Sequence, residues 1–347
     1  VIDGHAGKSD VYCRSTSDFS TWGSDVAVGT DGTYSINFQS VIRLSSGRIV
    51  VWLTKREAAS PYTVTDNGYS YSDDDGATWT GYTSRSAILD APYACSTRPV
   101  NISGTWYVPC YQSIGSNKLR LYTTVNGIDI TGSATPISDA DASTHSLNEF
   151  AFAHIDGLWV VCARTNTYTE HGVHIATSTD GSTWALSGTN VGPSDKWCSH
   201  PNLLSKNGWL YLFVGDREEQ VTEGCAGSPD FTLERLWTYA STAARLTADA
   251  TDWDATGDFD RPLVADTPVA TFYGYPQFYS LTPGTVMVAV AEADHVGPGR
   301  VGPQRRVVAQ HRPLGRPSGA RREEDVAQVV GADRVGPIQP LLEEFGF

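Results

Sequence analysis

Five positions of the chain recur at one distance from a glycine. Gln39, Ser96, Glu149, His200 and Pro276 each stand eight residues before a glycine, at Gly47, Gly104, Gly157, Gly208 and Gly284. Tyr275 precedes Pro276, and Arg98 follows Ser96 by two residues. A carboxylate, an imidazole, a phenol and a guanidinium are the groups used for proton transfer, nucleophilic attack and anion recognition. A packed core does not accept so many polar side chains without partners. A shared polar hub is therefore expected, either a working pocket or a water-filled channel.

The elements that must position these residues repeat with them. Each copy opens with a short strand, turns at the glycine and returns through an aromatic, β-branched strand. The copies cover residues 39–52, 98–108, 149–161, 200–213 and 275–289, and their turn glycines lie 57, 53, 51 and 76 residues apart. Glycine-centred turns between such runs are hairpin signals. A second signature follows most copies. Ser72, Asp74, Gly76, Thr78 and Trp79 fit S-x-D-x-G-x-T-W, and Ser178, Asp180, Gly181, Thr183 and Trp184 repeat it one residue shorter. Residues 15–22 hold a looser version with Phe19 in place of the glycine, and Thr124–Gly127 a remnant. In such a hairpin Ser and Asp side chains bond turn amides, Gly takes a positive φ and Trp packs between sheets. It marks a fold and does no chemistry.

The repeat predicts an all-β fold, a β-propeller of four-stranded antiparallel blades, since radial repetition protects sheet edges. Residues 8–22 carry late-blade features without an opening strand, and Tyr275–Ala291 the reverse. The N-terminal strands are therefore expected to close the ring. That gives five blades; the alternative of six places the missing one between Trp79 and Cys95. The propeller is assigned to residues 1–294.

Composition narrows the partners. The 347 residues, 40% hydrophobic and 11% aromatic, bury a substantial core, and no apolar run is long enough to span a membrane. The formal charge of −14 argues against nucleic acid. No basic and apolar leader opens the segment, which leaves open one removed earlier. The six cysteines form no C-x-x-C pair, so neither a zinc ribbon nor a dithiol redox motif is expected. Cys95 with Cys110, or Cys198 with Cys225, could close a loop, whereas Cys162 in an apolar run reads as core. Residues 295–347 hold eight Arg, no Lys, Trp or Tyr, and a net charge of +2 against −16 for the rest. They read as an irregular tail, either a flexible basic appendage or the product of a shifted reading frame.

The chain resembles the sialidase superfamily. The Ser72–Trp79 string is similar to its Asp box, and Asn148–Arg164 to the segment pairing a catalytic Glu with an Arg about fifteen residues on. Residues 104–111 look like the strand preceding it, and 275–286 like the segment carrying a nucleophilic Tyr. The resemblance implies that Glu149 draws the proton from Tyr275, whose phenolate attacks an anomeric carbon, and that Asp66, in the loop after Trp52, is the acid/base. It also implies a substrate carboxylate held by three arginines. Arg164 fits the second, and Arg235 or Arg217 the third. The first is replaced by Asn37, with Arg98 as a substitute from the next blade. Gln39 and His200 complete the expected carbohydrate contacts, and no cofactor or metal is called for. A secreted or surface-borne glycosidase on an acidic glycan, exo- or endo-acting, is the implied activity, and the absent first arginine leaves room for the endo mode. A uronate lyase using Tyr275 and His200, and a non-catalytic glycan-binding propeller, are the other readings.

Overall fold

The computed structural model describes residues 9–15, 23–58, 63–85, 94–95, 97–112, 117–167, 170–192, 197–198, 200–220, 230–259, 271–279, 285–294 and 305–313. From residue 256 onward, and at 94–95, 197, 216–220 and 230–236, the description is of the backbone. The chain divides into two compact units, Val1–His154 with Asp180–Trp184 and Pro337–Phe347, and Ile155–Thr179 with Ala185–Gly336.

In the first unit, β1 (Val11–Cys13) and β2 (Val26–Gly29) pair antiparallel. Next come β3 (Ser35–Arg43), β4 (Ile49–Arg56), β5 (Val64–Ser72) and β6 (Thr83–Ser84), a four-stranded sheet in chain order. Then β7 (Ala94–Cys95) and β8 (Val100–Ile102) both pair with β9 (Thr105–Gln112), which continues to β10 (Lys118–Thr124) and β11 (Gly132–Ala134). This second sheet is four-stranded with its first strand interrupted. Helix α1 (Asp139–Thr144) follows, its first turn capped by the Ser138 hydroxyl, which accepts from the Asp141 amide.

The third sheet runs β12 (Leu147–Ile155), β13 (Leu158–Thr165), β14 (Val173–Ser178) and β15 (Ala185–Leu186). In the second unit β16 (Trp197–Cys198) and β17 (Asn202–Lys206) both pair with β18 (Trp209–Gln220), followed by β19 (Asp230–Ser241), helix α2 (Ala243–Ala248) and β20 (Asp254–Phe259). The last sheet is β21 (Thr271–Tyr279), β22 (Thr285–Asp294) and β23 (Arg305–Pro313). Every pairing between these strands with a described register is antiparallel. The all-β, blade-by-blade organisation is as expected, with five sheets after the N-terminal pair.

Two details add to this. The N-terminal strands pair with each other and pack on the sheet that follows them. Val11 and Val28 join Ile36, Val51 and Leu53 in one buried cluster. The last sheet takes its third strand from Arg305–Pro313, within the expected tail; residues 295–304 and 314–347 lie outside the described ones.

Strand β4 explains why central strands here read as unbroken apolar runs. Val51 and Leu53 face the N-terminal strands, while Val50 and Trp52 face the second sheet with Val108, Cys110 and Tyr122. Both faces are covered, so the two-residue period alternates between two cores instead of core and water. Turn geometry fixes the register. Ser103–Gly104, Asp156–Gly157 and Asn207–Gly208 all have positive φ at both residues, the type I′ pair whose twist matches a hairpin.

The outer hairpins bond as their residues suggest. The Ser72 hydroxyl accepts the Gly76 amide at 2.8 Å, and Asp74 accepts the Thr78 amide at 2.8 Å and hydroxyl at 2.6 Å. Asp180 accepts two amides at 2.7 Å, from Ser182 and Thr183, and Asn126 accepts those of Ile128 and Asp129 at 2.9 and 2.8 Å. The Asn126–Gly127 turn docks on the first sheet. Trp52 Nε1 donates to the Gly127 carbonyl at 2.9 Å, and the buried Arg85 guanidinium donates to the same oxygen while lying 3.9 Å over the Trp52 ring.

Two tests follow from this packing. Gly127 has φ of 72°, and a Cβ there would fall 2.6 Å from Ile42 Cδ1. Gly127→Ala should therefore lower unfolding free energy by about 1–3 kcal/mol in a denaturant titration. Thr78 and Ser72 hold the Asp74 carboxyl at about 2, below its ordinary 3.8. A depressed folded-state value gives stability that is present above pH 4 and lost as pH falls toward 2. The melting-temperature gap between wild type and Asp74→Asn should be constant from neutral to about pH 5 and close on the acid side.

Candidate functional site

The first strands of the sheets depart from regular pairing at one place. In the first sheet Phe38 faces Leu53 and Ser40 faces Trp52, so Gln39 is an extra residue. In the second, Cys95 faces Cys110 and Val100 faces Tyr107, so the first strand has more residues between these pairs than its partner. In the fourth, Cys198 faces Asp216 and Asn202 faces Phe213, so the first strand again has more residues between the pairs than its partner. In the last, Gly274 faces Ala291 and Gln277 faces Ala289, leaving Tyr275 and Pro276 opposite Val290. The surplus lies on the first strand every time, and it lies at the position singled out by counting back from the turn glycine. Such bulges bend a strand and re-aim a side chain, and they are enriched beside active sites.

In the third sheet that position is Glu149, on a strand continuous from Leu147 to Ile155. Its side chain is 6% exposed, and Oε1 accepts the Tyr111 hydroxyl at 3.4 Å. The neighbouring Asn148 turns its Oδ1 onto the Glu149 amide at 2.7 Å. Thr97, in the gap between β7 and β8, donates its hydroxyl to the Phe150 carbonyl at 3.4 Å, and the Tyr107 and Phe152 rings meet at 5.8 Å. The second sheet thus supports the strand that carries the carboxylate. A buried carboxylate facing a phenol is a group able to accept a proton. Tyr111 was not among the sequence-derived candidates. Its only signal was its place two residues after Pro109, in the strand preceding the Glu149 segment.

The remaining candidates separate into three groups. Gln39 donates from Nε2 to Thr54 Oγ1 at 3.1 Å, which holds it across its own sheet. Asn37, at the place of the first arginine, accepts the Ser9 hydroxyl at 2.8 Å and so ties the N-terminal segment to β3. Arg98 is exposed in the gap of the second sheet's first strand. Arg164 is buried on β13 opposite Val173, and His200 is buried in the gap between β16 and β17. In the same unit as these two, buried His174 has Nε2 2.9 Å from Glu170 Oε2. Arg217 pairs with Trp197 and Leu233 through its backbone, Arg235 stands on β19, and Tyr275 stands at the β21 bulge. The side chains of these three lie outside the described residues. So do Cys225 and most of the looser hairpin at 15–22.

Asp66 corrects the expectation of a solvated loop. It stands on β5 opposite Lys55, because the β4–β5 pairing continues past Trp52 to Arg56 and Val64. Lys55 is engaged by Asp31 at 2.8 Å and lies 4.5 Å over the Tyr34 ring. That ammonium, with the Tyr34 and Thr33 amides, holds the Asp31 carboxyl well below the usual range. Tyr82 lies beside Asp66, and its ring crosses Gly68, where a Cβ would fall 2.5 Å from ring atoms. Burial, then the Asp66 and Asp31 charges, push the Tyr82 phenol far above its ordinary value.

No protein-family profile matches the chain, and no curated protein matches its sequence. Solved structures do match. The Hadza microbial sialidase Hz136 aligns at 15% identity and TM-score 0.51 over 81% of this chain, which spans 56% of that protein. The intramolecular trans-sialidase from Ruminococcus gnavus aligns at 13% and 0.53, over 83% of this chain and 84% of its own. The catalytic domain of the GH62 α-L-arabinofuranosidase from Coprinopsis cinerea aligns at 11% and 0.51, over 84% and 93%. The fold is similar to that of these glycosidase propellers, sialidases and an arabinofuranosidase alike. Identities this low show the fold alone.

The Asp66–Tyr82 arrangement has a direct test. Replacing the carboxylate by a neutral amide removes a charge that opposes the phenolate. Asp66→Asn should lower the Tyr82 phenol in an ultraviolet pH titration, while burial, the larger cause, keeps it above the ordinary tyrosine range. An unchanged titration would place Asp66 away from that ring.

Proposed function

We propose that the chain is a sialidase-like glycoside hydrolase acting on an acidic sugar of a glycan, outside the cell or on a virion surface. What carries the reading is the set of surplus residues at one position of four first strands, with the buried Glu149 carboxylate at that position in the remaining sheet. The bonded Ser72–Trp79 hairpin, similar to an Asp box, and the structural likeness to sialidases support it.

In this reading Glu149 accepts the phenolic proton of Tyr275. The phenolate attacks the anomeric carbon, and Asp66 protonates the departing oxygen. Water then releases the sugar by the reverse proton movements, so the anomeric configuration is retained. A nucleophile that is neutral before proton transfer suits a carbon bearing a carboxylate, because a carboxylate nucleophile would meet charge repulsion there. Arg164, with Arg217 or Arg235, supplies the fork that matches the substrate carboxylate. Tyr111 holds Glu149 in place. Gln39, Arg98 and His200 contribute contacts from their bulges and gaps.

The experiment is a panel of sialylated, uronate-containing and arabinose-containing glycans, with products identified by mass and anomer by NMR. The expected result is release of an acidic monosaccharide with retained configuration. Tyr275→Phe and Glu149→Gln should each lower kcat by about a thousandfold or more while the circular dichroism spectrum is unchanged. Full activity in both variants overturns the roles assigned. An unsaturated uronate product indicates a lyase using Tyr275 and His200, and glycan retention without product indicates a binding propeller. Either result overturns the hydrolase.

A further inference from the structure

The second sheet carries a feature that the proposed chemistry does not use. Its first strand is held to β9 by two facing pairs before it breaks, Ala94 with Tyr111 and Cys95 with Cys110. A two-residue strand has little to hold it in place, since each ordered residue costs about 1–2 kcal/mol in backbone entropy. Yet it neighbours the strand segment from which Tyr111 reaches Glu149. Cys95 and Cys110 are direct register partners of an antiparallel pair. Facing residues in such a pair have Cα atoms about 4.5 or 5.5 Å apart, both inside the roughly 4.4–6.8 Å window of a disulfide. Cys110 is 1% exposed and packs in the cluster of Val50, Trp52, Val108 and Tyr122. A bond there would close within the core, away from bulk reductant.

We propose that Cys95 and Cys110 are a redox pair that closes a cross-strand disulfide, stapling β7 to β9 beside Tyr111. The oxidant is a low-molecular-weight disulfide such as oxidised glutathione. One cysteine thiolate attacks a glutathione sulfur and expels a glutathione thiolate. The second cysteine thiolate then attacks the mixed disulfide and expels the other. Two thiols are oxidised, one disulfide is reduced to two thiols, and the two protons pass to the departing glutathione. The staple does not depend on the catalytic reading, because its readouts are thiol count and melting temperature.

The test refolds the full chain in a glutathione buffer, alkylates it under denaturing conditions and weighs it. Four of the six cysteines should be alkylated, and proteolytic fragmentation should place the link between Cys95 and Cys110. Dithiothreitol should lower the melting temperature of the oxidised protein by about 3–6 °C. Cys95→Ser should melt at one temperature with or without reductant and leave Cys110 alkylated. Because it sits on the two-residue strand, it tests the pair even if Cys110→Ser fails to fold. Six alkylated cysteines after oxidation, a link from Cys110 to another cysteine, or a reductant effect that persists in Cys95→Ser would each overturn the proposal.

Discussion

The first unit depends on how each outer hairpin docks on the sheet before it. A sheet with apolar residues on both faces cannot be stable alone, so its second face must meet a neighbour. The Asn126–Gly127 turn does this for the first sheet. Its carbonyl accepts the Trp52 indole N–H at 2.9 Å, and its backbone lies flat on Ile42 and Val50. The Ser72–Trp79 hairpin does the same one step earlier, where the Gly76 carbonyl accepts the Trp79 indole at 3.1 Å beside Cys13 of β1. In both places a glycine carbonyl satisfies an indole that would otherwise be buried with an unmet donor, which is costly. Arg85 extends the first of these contacts, lying between the Trp52 and Tyr69 rings at 3.9 and 4.8 Å. Its charge is spread over π faces and the Gly127 oxygen, which makes deep burial tolerable.

Between first and second strands the surplus lies on the first, while further register shifts lie between β4 and β5, β18 and β19, and β19 and β20. Three of the turns that join first and second strands are type I′ pairs with no slack in register. A surplus residue cannot be taken up at the turn without flipping every side chain between two cores, which the alternation on β4 forbids. It is pushed to the far end of the first strand, where one edge has no hydrogen-bonded neighbour. The result is a bulge or gap at Gln39, between Cys95 and Val100, between Cys198 and Asn202, and at Tyr275–Pro276, each in its own sheet.

This division also governs what was readable from residues alone. The outer hairpins were legible because their bonds are local: Asp74 reaches Thr78, Asn126 reaches Asp129 and Asp180 reaches Thr183, all within four residues. The turn glycines were legible for the same reason, and with them the row containing Gln39, Glu149 and His200. Long-range partners were not. Nothing in the neighbourhood of Tyr111 marks a bond to Glu149, 38 residues away, and nothing near Asn37 marks its tie to Ser9. Asp66 was expected in a loop because the family resemblance puts its acid/base after Trp52. In the structure pairing with Lys55 carries the strand through this residue, and burial of Tyr82 over Gly68 covers the far side. Arg85 had no local signal at all, since an arginine usually means surface.

The charge balance constrains the proposed substrate further. A formal charge of −14 repels anions at a distance, yet at physiological ionic strength that field is screened within about 8 Å. An acidic sugar is therefore not steered toward such a protein; it must be recognised at contact. With Asn37 engaged by Ser9, the proposed reading leaves contact recognition of a carboxylate to Arg164 with Arg217 or Arg235. One carboxylate needs only one such fork. A polymer with a carboxylate on every residue needs neutralisation along its whole length, and an acidic surface provides the opposite. On electrostatic grounds the proposed activity fits removal of a single acidic terminal sugar better than cleavage within a polyanionic chain.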